Sequence, residues 1–198
     1  MTDRPEQSAS RRAVFLDRDG TLIEERGYLD RMDLLTIFPW TADALRLLKR
    51  AGFVTVVITN QSAIARGIVD EAFLHSVHRE IDARLARGGA VIDAYYYCPH
   101  LADAPLEQYR LACRCRKPGP GMIEQACRDL QVDPGRSVMI GDRWLDIACG
   151  KAAGTSRILV RTGHGAHEAD THTASVDADA ILNNLMEATG WILRTLSR

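Results

Sequence analysis

Cys98-Pro-His100 and Cys113-Arg-Cys115 are two tight pairs of soft ligands with twelve residues between them. Thiolates and imidazole suit a tetrahedral Zn²⁺ ion, and four protein ligands make such a site structural, because no position remains for water. Arg116-Lys117-Pro118 follows at once, so whatever fixes this segment also fixes a lysine. The alternative is a set of buried or oxidised thiols with His100 an ordinary loop residue. The paired spacing favours metal.

A second set of groups suits phosphate. Asp17-Arg18-Asp19-Gly20-Thr21 follows a short apolar run. Two carboxylates at i and i+2 can gather a divalent cation, and a carboxylate can also attack as a nucleophile to give an aspartyl-phosphate. The bland reading is a polar turn. Thr59-Asn60-Gln61-Ser62 offers hydroxyl and amide donors to phosphate oxygens, and on its own would read as a loop of ordinary turn-formers. Lys117 can neutralise a phosphoryl group and a carboxylate together, though a lone lysine is by default a surface residue. Gly141-Asp142-Arg143-Trp144-Leu145-Asp146 adds Asp142 as a Mg²⁺ ligand, with Asp146 one helical turn on as an orienting group or a helix cap.

These groups need elements to position them. Short β-rich runs alternate with amphipathic segments, which predicts an α/β chain with a parallel sheet and helices on both faces. Strands are expected at Ala13 to Leu16, Phe53 to Ile58, Val91 to Tyr97, Ser137 to Ile140 and Arg157 to Val160. Helices are expected at Thr41 to Arg50, from an Asp70 cap to Arg87, at Pro118 to Leu130, at Asp146 to Ala153, and at Ile181 to Leu196 on the sheet edge. Thr162 to Thr173 reads as a Gly/His/Asp-rich loop. In such sheets ligands bind outside the carboxyl ends of the strands, and the phosphate-compatible motifs fall there. No repeat and no large cap domain is visible: residues 13–198 read as one domain with a zinc loop at 98–115.

The totals exclude several classes. The chain has 198 residues, 46% hydrophobic, with a formal net charge of -1, which argues against disorder and against a broad polyanion-binding surface. The basic cluster Arg110, Arg114, Arg116 and Lys117 is too small for nucleic acid and fits local phosphate binding better. No apolar run approaches the ~20 residues of a membrane helix. Residues 1–12 are polar, lack the apolar core of a signal peptide, and are expected to be a flexible tail. Five cysteines fit a reducing cytoplasm better than a disulfide framework, and Cys127 and Cys149 read as small core residues. A monomer is expected. His75 and His78 lie three apart without a third ligand, and His164, His167 and His172 read as solvent-exposed.

In this order the motifs resemble the haloacid dehalogenase-like phosphatase superfamily, over roughly Val14 to Thr162. The resemblance implies a Rossmann-like sheet and a role for each matching residue. Asp17 would attack phosphorus. Asp19 would protonate the leaving oxygen and then activate water. Thr59 would bind the phosphoryl group, Asn60 would shape the pocket, and Lys117 would steady nucleophile and phosphate. Mg²⁺ would be held by Asp17, the backbone carbonyl of Asp19 and Asp142.

Within the superfamily, the segment from Cys98 to Pro118 is similar to two groups, the D-glycero-D-manno-heptose 1,7-bisphosphate phosphatases and the histidinol-phosphate phosphatases. Thr59 to Gly67, Cys115 to Met122 and Leu159 to Thr162 are closer to the first. That resemblance implies removal of the 7-phosphate in the supply of heptose for nucleotide-activated sugars. Arg116 would then grip the distal phosphate or sugar, since a guanidinium can offer two parallel hydrogen bonds, and Gln61, Ser62 and Arg66 would line the sugar pocket. The sequence departs from the group at Ala63, Ile23 and Pro39-Trp40, which alters pocket shape but removes no group the reaction needs. A different class of reading is a non-catalytic, zinc-stapled phosphosugar-binding protein; the intact carboxylate pair argues against it.

Overall fold

The computed structural model describes residues 11–171 and 177–196. Most of the expected tail and His172 therefore lie outside the described residues.

Six parallel strands form one sheet in the order β3-β2-β1-β4-β5-β6. They are β1 (Arg12–Leu16), β2 (Phe53–Asn60), β3 (Ala94–Cys98), β4 (Val138–Gly141), β5 (Ser156–Val160) and β6 (Ala180–Leu182). The helices are α1 (Thr41–Arg50), the single turn α2 (Ser62–Ala65), α3 (Glu71–Arg87), α4 (Gly121–Leu130), α5 (Trp144–Ala153), α6 (Gly165–Thr171) and α7 (Leu185–Thr195). Helices cover both faces, as the alternation of segments predicts.

The faces follow from the two-residue period of a strand. Val14 and Leu16 of β1, with Val57, Ile140 and Val160, pack beneath α1, α3 and α7 against Leu45, Ile81 and Ile192. Ala13 and Phe15 point the other way, with Val56, Ile58 and Met139, onto Met122 and Ile123 of α4. Cys149 of α5 belongs to that second core and Cys127 packs against it, both in the small apolar role expected. Phe15 has no exposed surface; truncation to alanine at such a site costs about 3–5 kcal/mol.

β1 and β4 are neighbours from which the chain runs outward in opposite directions, the place where a crevice opens at the carboxyl edge. Leu16 pairs with Val57 on one side and with Ile140 on the other, so the residues after these strands emerge at one level.

Several boundaries differ from expectation. β1 begins at Arg12, whose guanidinium lies over the Phe53 ring, so the polar start yields to the sheet one residue early. β3 starts at Ala94 rather than Val91, because the Asp93 carboxylate accepts the Thr55 amide (2.7 Å) just ahead of the ladder. The expected loop at 162–173 contains α6. That helix is held by tertiary contacts: the Trp144 indole donates to the Glu168 carbonyl (2.8 Å) and the Trp144 amide to the Glu168 carboxylate (3.0 Å). The expected helix from Ile181 begins at Leu185, capped by Asn184 (accepting from Glu187 N, 3.1 Å), and Ala180 to Leu182 instead extend the sheet beside β5. α7 packs against α1 as well as β5 and β6.

Candidate active site

A cleft of about 380 Å³ at the carboxyl edge is lined by Asp17, Asp19, Thr59, Asn60, Gln61, Ser62, Arg116, Lys117 and Asp142. The volume is within the range of ordinary small-molecule pockets. Three separate strand ends and the cysteine segment thus meet in one place.

Asp17 leaves β1 with its amide donating to the Ile140 carbonyl (2.9 Å), which ties it to β4. Its Oδ1 lies 2.8 Å from the Lys117 ammonium and accepts the Arg18 amide at 2.8 Å. Burial pushes the Asp17 carboxyl up to about 7, with help from the nearby charges of Asp146 and Asp19 and against the pull of Lys117. Lys117 is 3% exposed. Its ammonium also meets Asp146 Oδ1 (2.6 Å) and donates to the Ile58 carbonyl (3.0 Å), so its three protons are spoken for. Burial alone would depress this lysine, but Asp146 and Asp17 more than offset that and hold its pKa above the usual lysine value.

Asp142 follows β4. Oδ2 accepts the His164 amide (2.8 Å), whereas Oδ1 is buried with no hydrogen-bond partner among the described residues. Burial, and next Asp17 and Asp146, raise its carboxyl to about 8. Carboxylate oxygens of Asp17, Asp142 and Asp146 all lie within 4.8 Å of one another. Ionised together, three acids around one ammonium would leave negative charge uncompensated, and Asp142 Oδ1 has a coordination position to offer. This donor set fits a hard divalent cation. Gly20 makes the close approach feasible: at φ +78 it tolerates a turn that L side chains avoid, and a Cβ there would lie 2.2 Å from Asp142 Oδ2.

Asp19 turns away from this cluster. Its carboxylate accepts from Arg18 Nε (3.1 Å to Oδ2), Arg18 Nη2 (3.0 Å to Oδ1) and Gln61 Nε2 (3.0 Å to Oδ2). The same Gln61 amide donates to Thr59 Oγ1 (2.9 Å).

The cysteine segment stands beside the lysine, as its sequence predicts. Sγ of Cys98, Cys113 and Cys115 are 2.8–3.3 Å apart, and His100 Nδ1 lies 3.4 Å from Cys115 Sγ and 3.7 Å from Cys98 Sγ. All three cysteines are free, at separations well beyond the ~2.05 Å of a disulfide. Four ligand atoms converge in a way that could hold one metal ion. The Cys98 carbonyl accepts the Gln61 amide (2.8 Å), and the Asn60 side chain pairs with both backbone groups of Lys117 (3.0 and 3.1 Å). The Asn60 side-chain amide is thus engaged with the Lys117 backbone while the residue lines the cleft.

Arg116 lines the cleft, its Nη1 donating to the His100 carbonyl (3.1 Å). Arg66 does not: the turn of α2 carries it past the rim into solvent. Glu25, Tyr28, Arg143 and His164 also line the cleft, although the sequence pattern does not mark them as site residues. Glu25 and Tyr28 sit in an irregular segment with no motif to mark them. From the sequence Asp146 reads only as an orienting group or a helix cap. It does both, since its Oδ2 also accepts the Arg143 amide (3.0 Å), and it completes the acidic cluster besides.

The HAD-hydrolase-like family model matches residues 114–188. The D-glycero-beta-D-manno-heptose-1,7-bisphosphate 7-phosphatase of Haemophilus ducreyi is 39% identical over 184 residues, covering 92% of this chain and 98% of that protein. The protein of the same name from Escherichia coli K12 is 40% identical over 176 residues, 88% of this chain and 90% of that one. Among solved structures, the D,D-heptose 1,7-bisphosphate phosphatase from B. bronchiseptica, complexed with magnesium and phosphate, superposes with a TM-score of 0.83. It is 30% identical and covers 92% of this chain and 98% of its own.

Proposed function

The chain belongs to the HAD-like phosphatases represented by these relatives, and we propose that it removes the 7-phosphate of D-glycero-β-D-manno-heptose 1,7-bisphosphate. The observation that carries this is the convergence of Asp17, Thr59, Lys117 and Asp142 on one cleft. The β-anomer is taken from the names of the relatives.

Asp17 is the nucleophile. Lys117 and Arg18 N both engage Oδ1, which leaves Oδ2 to attack phosphorus and form an aspartyl-phosphate while the sugar hydroxyl departs. Asp19 hands a proton to that leaving oxygen and then takes one from the water that hydrolyses the intermediate. Thr59 donates to the phosphoryl oxygens. Lys117 keeps its positive charge beside both nucleophile and phosphate, and Asp146 aims it. Mg²⁺, held by Asp17, Asp142 and the Asp19 carbonyl, would supply charge neutralisation for the phosphoryl group. Zn²⁺ at Cys98, His100, Cys113 and Cys115 would hold the segment that presents Arg116 and Lys117, and Arg116, Gln61 and Ser62 would face the rest of the substrate.

The reading includes a cytoplasmic monomer, since thiolate ligands survive best in a reducing compartment. No helix among the described residues is long and apolar enough to cross a membrane. The test is Mg²⁺-dependent phosphate release from the α- and β-anomers of heptose 1,7-bisphosphate, with histidinol phosphate alongside. The highest kcat/KM is expected for the β-bisphosphate; a preference for histidinol phosphate would overturn the substrate while leaving the chemistry.

A further inference from the structure

Arg18 lies between the two aspartates of the first motif, yet it is among the most buried charged groups of the described residues, at 2% exposure. A guanidinium is kept out of water only where it is paired. Its Nη2 reaches Asp19 Oδ1 (3.0 Å) and Gln61 Oε1 (3.1 Å), and its Nε reaches Asp19 Oδ2 (3.1 Å). Gln61 closes the ring from the other side, donating to Asp19 Oδ2 (3.0 Å) and to Thr59 Oγ1 (2.9 Å). An ionised carboxylate has about four acceptor sites. By hydrogen-bond geometry Oδ2 takes two donors and Oδ1 one, with Arg18 Nη2 also 2.9 Å from Oδ2, so among the described residues one acceptor site, on Oδ1, stays open.

We propose that Arg18 and Gln61 are positioning residues that clasp the Asp19 carboxylate so that Oδ1 alone exchanges protons with substrate and water. Gln61 also sets Thr59 relative to Asp19, which couples the group that handles the proton to the group that holds the phosphate. This rests on the assignment of Asp19 as acid and base made above. It gives Gln61 a second duty besides lining the cleft, and gives Arg18 a task that the charge pattern of the motif does not announce.

The test separates proton delivery from folding by the leaving group. A sugar alkoxide needs a proton as it departs; 4-nitrophenolate does not. kcat/KM covers steps only up to departure of that group. Arg18→Met and Arg18→Leu should each lower kcat/KM for the heptose bisphosphate about 10²-fold, while changing that for 4-nitrophenyl phosphate less than about threefold. Neither should add to the loss already present in Asp19→Ala. Using both variants guards against one failing to fold. Equal losses on both substrates, or further loss on top of Asp19→Ala, would overturn the clasp. If Asp19→Ala shows leaving-group selectivity and the two variants do not, the clasp alone fails. If Asp19→Ala shows none, the acid–base assignment fails and the clasp with it.

Discussion

The ammonium of Lys117 lies 2.8 Å from Asp17 Oδ1, both side chains almost wholly buried, in a chain where a hundred residues separate them. A bare carboxylate in that place would be driven to protonate; the lysine favours its ionised form, which the nucleophile proposed above requires. Asp146 provides the other half of the arrangement at 2.6 Å. Lys117→Met should therefore reduce turnover by more than about 10²-fold and destabilise the protein by about 3–5 kcal/mol, since it strands buried carboxylates without a partner. Denaturant unfolding and phosphate release together check this, and a variant as stable as the parent would contradict it.

The acidic cluster makes metal binding and pH interdependent. Asp17 is raised to about 7 and Asp142 to about 8 from an ordinary 3.8, chiefly by burial. The folded, metal-free protein thus holds these protons more tightly than the unfolded chain does. Their contribution to stability is complete below the ordinary value and is lost as pH rises through about 7 to 8. A divalent cation takes the place of the protons, so the rise in Tm on adding Mg²⁺ should be larger at pH 8.5 than at pH 6. Asp142→Asn should flatten that difference in thermal scans.

His78 sets an acid limit of its own. Its ring stacks on Tyr95 (centroids 4.2 Å apart), and burial, reinforced by the Arg18 charge, depresses its pKa to about 3 from 6.5. The unfolded chain binds the proton first. Stability from this residue is full above about 6.5 and is lost as pH falls toward 3. His78→Phe keeps the stack and removes the titration, so the variant's acid-side slope should be shallower by about 1.4 kcal/mol per pH unit between roughly pH 6 and 4. An unchanged slope in pH-dependent unfolding would refute the assignment.

Cys113→Ser tests the cysteine cluster. Loss of one of four ligands should lower zinc content and affinity at least about 10-fold and loosen the segment that presents Lys117. Metal analysis with activity decides it: full zinc and full turnover would show that these four side chains do not hold an ion the site depends on.

Much of this was legible in the residues because the informative positions sit where the chain has little freedom. Asp17, Thr59 and Asp142 close buried apolar runs, and a parallel sheet brings such ends to one edge. The zinc-type pairs are close in sequence, so their convergence needs no long-range knowledge. What escaped depends on tertiary context. β6 is three residues long and only half-buried, too short to show a period. α6 forms in a Gly/His-rich stretch because Trp144 grips Glu168. Asp146 reads as a helix cap until the fold delivers Lys117 to it. Arg66 reads as a basic loop residue near the site, but the turn of α2 points it away. Asn60 reads as a pocket residue, and its amide proves to be engaged by the Lys117 backbone.

The most direct test is phosphate release from heptose 1,7-bisphosphate with Mg²⁺, comparing the parent protein with Asp17→Asn. The parent should release one phosphate per bisphosphate, and Asp17→Asn, which keeps the shape and loses the charge, should fall by at least about 10³-fold. Retention of a tenth of the parent rate in Asp17→Asn would contradict Asp17 as the nucleophile, and absence of release by the parent would contradict the proposed reaction.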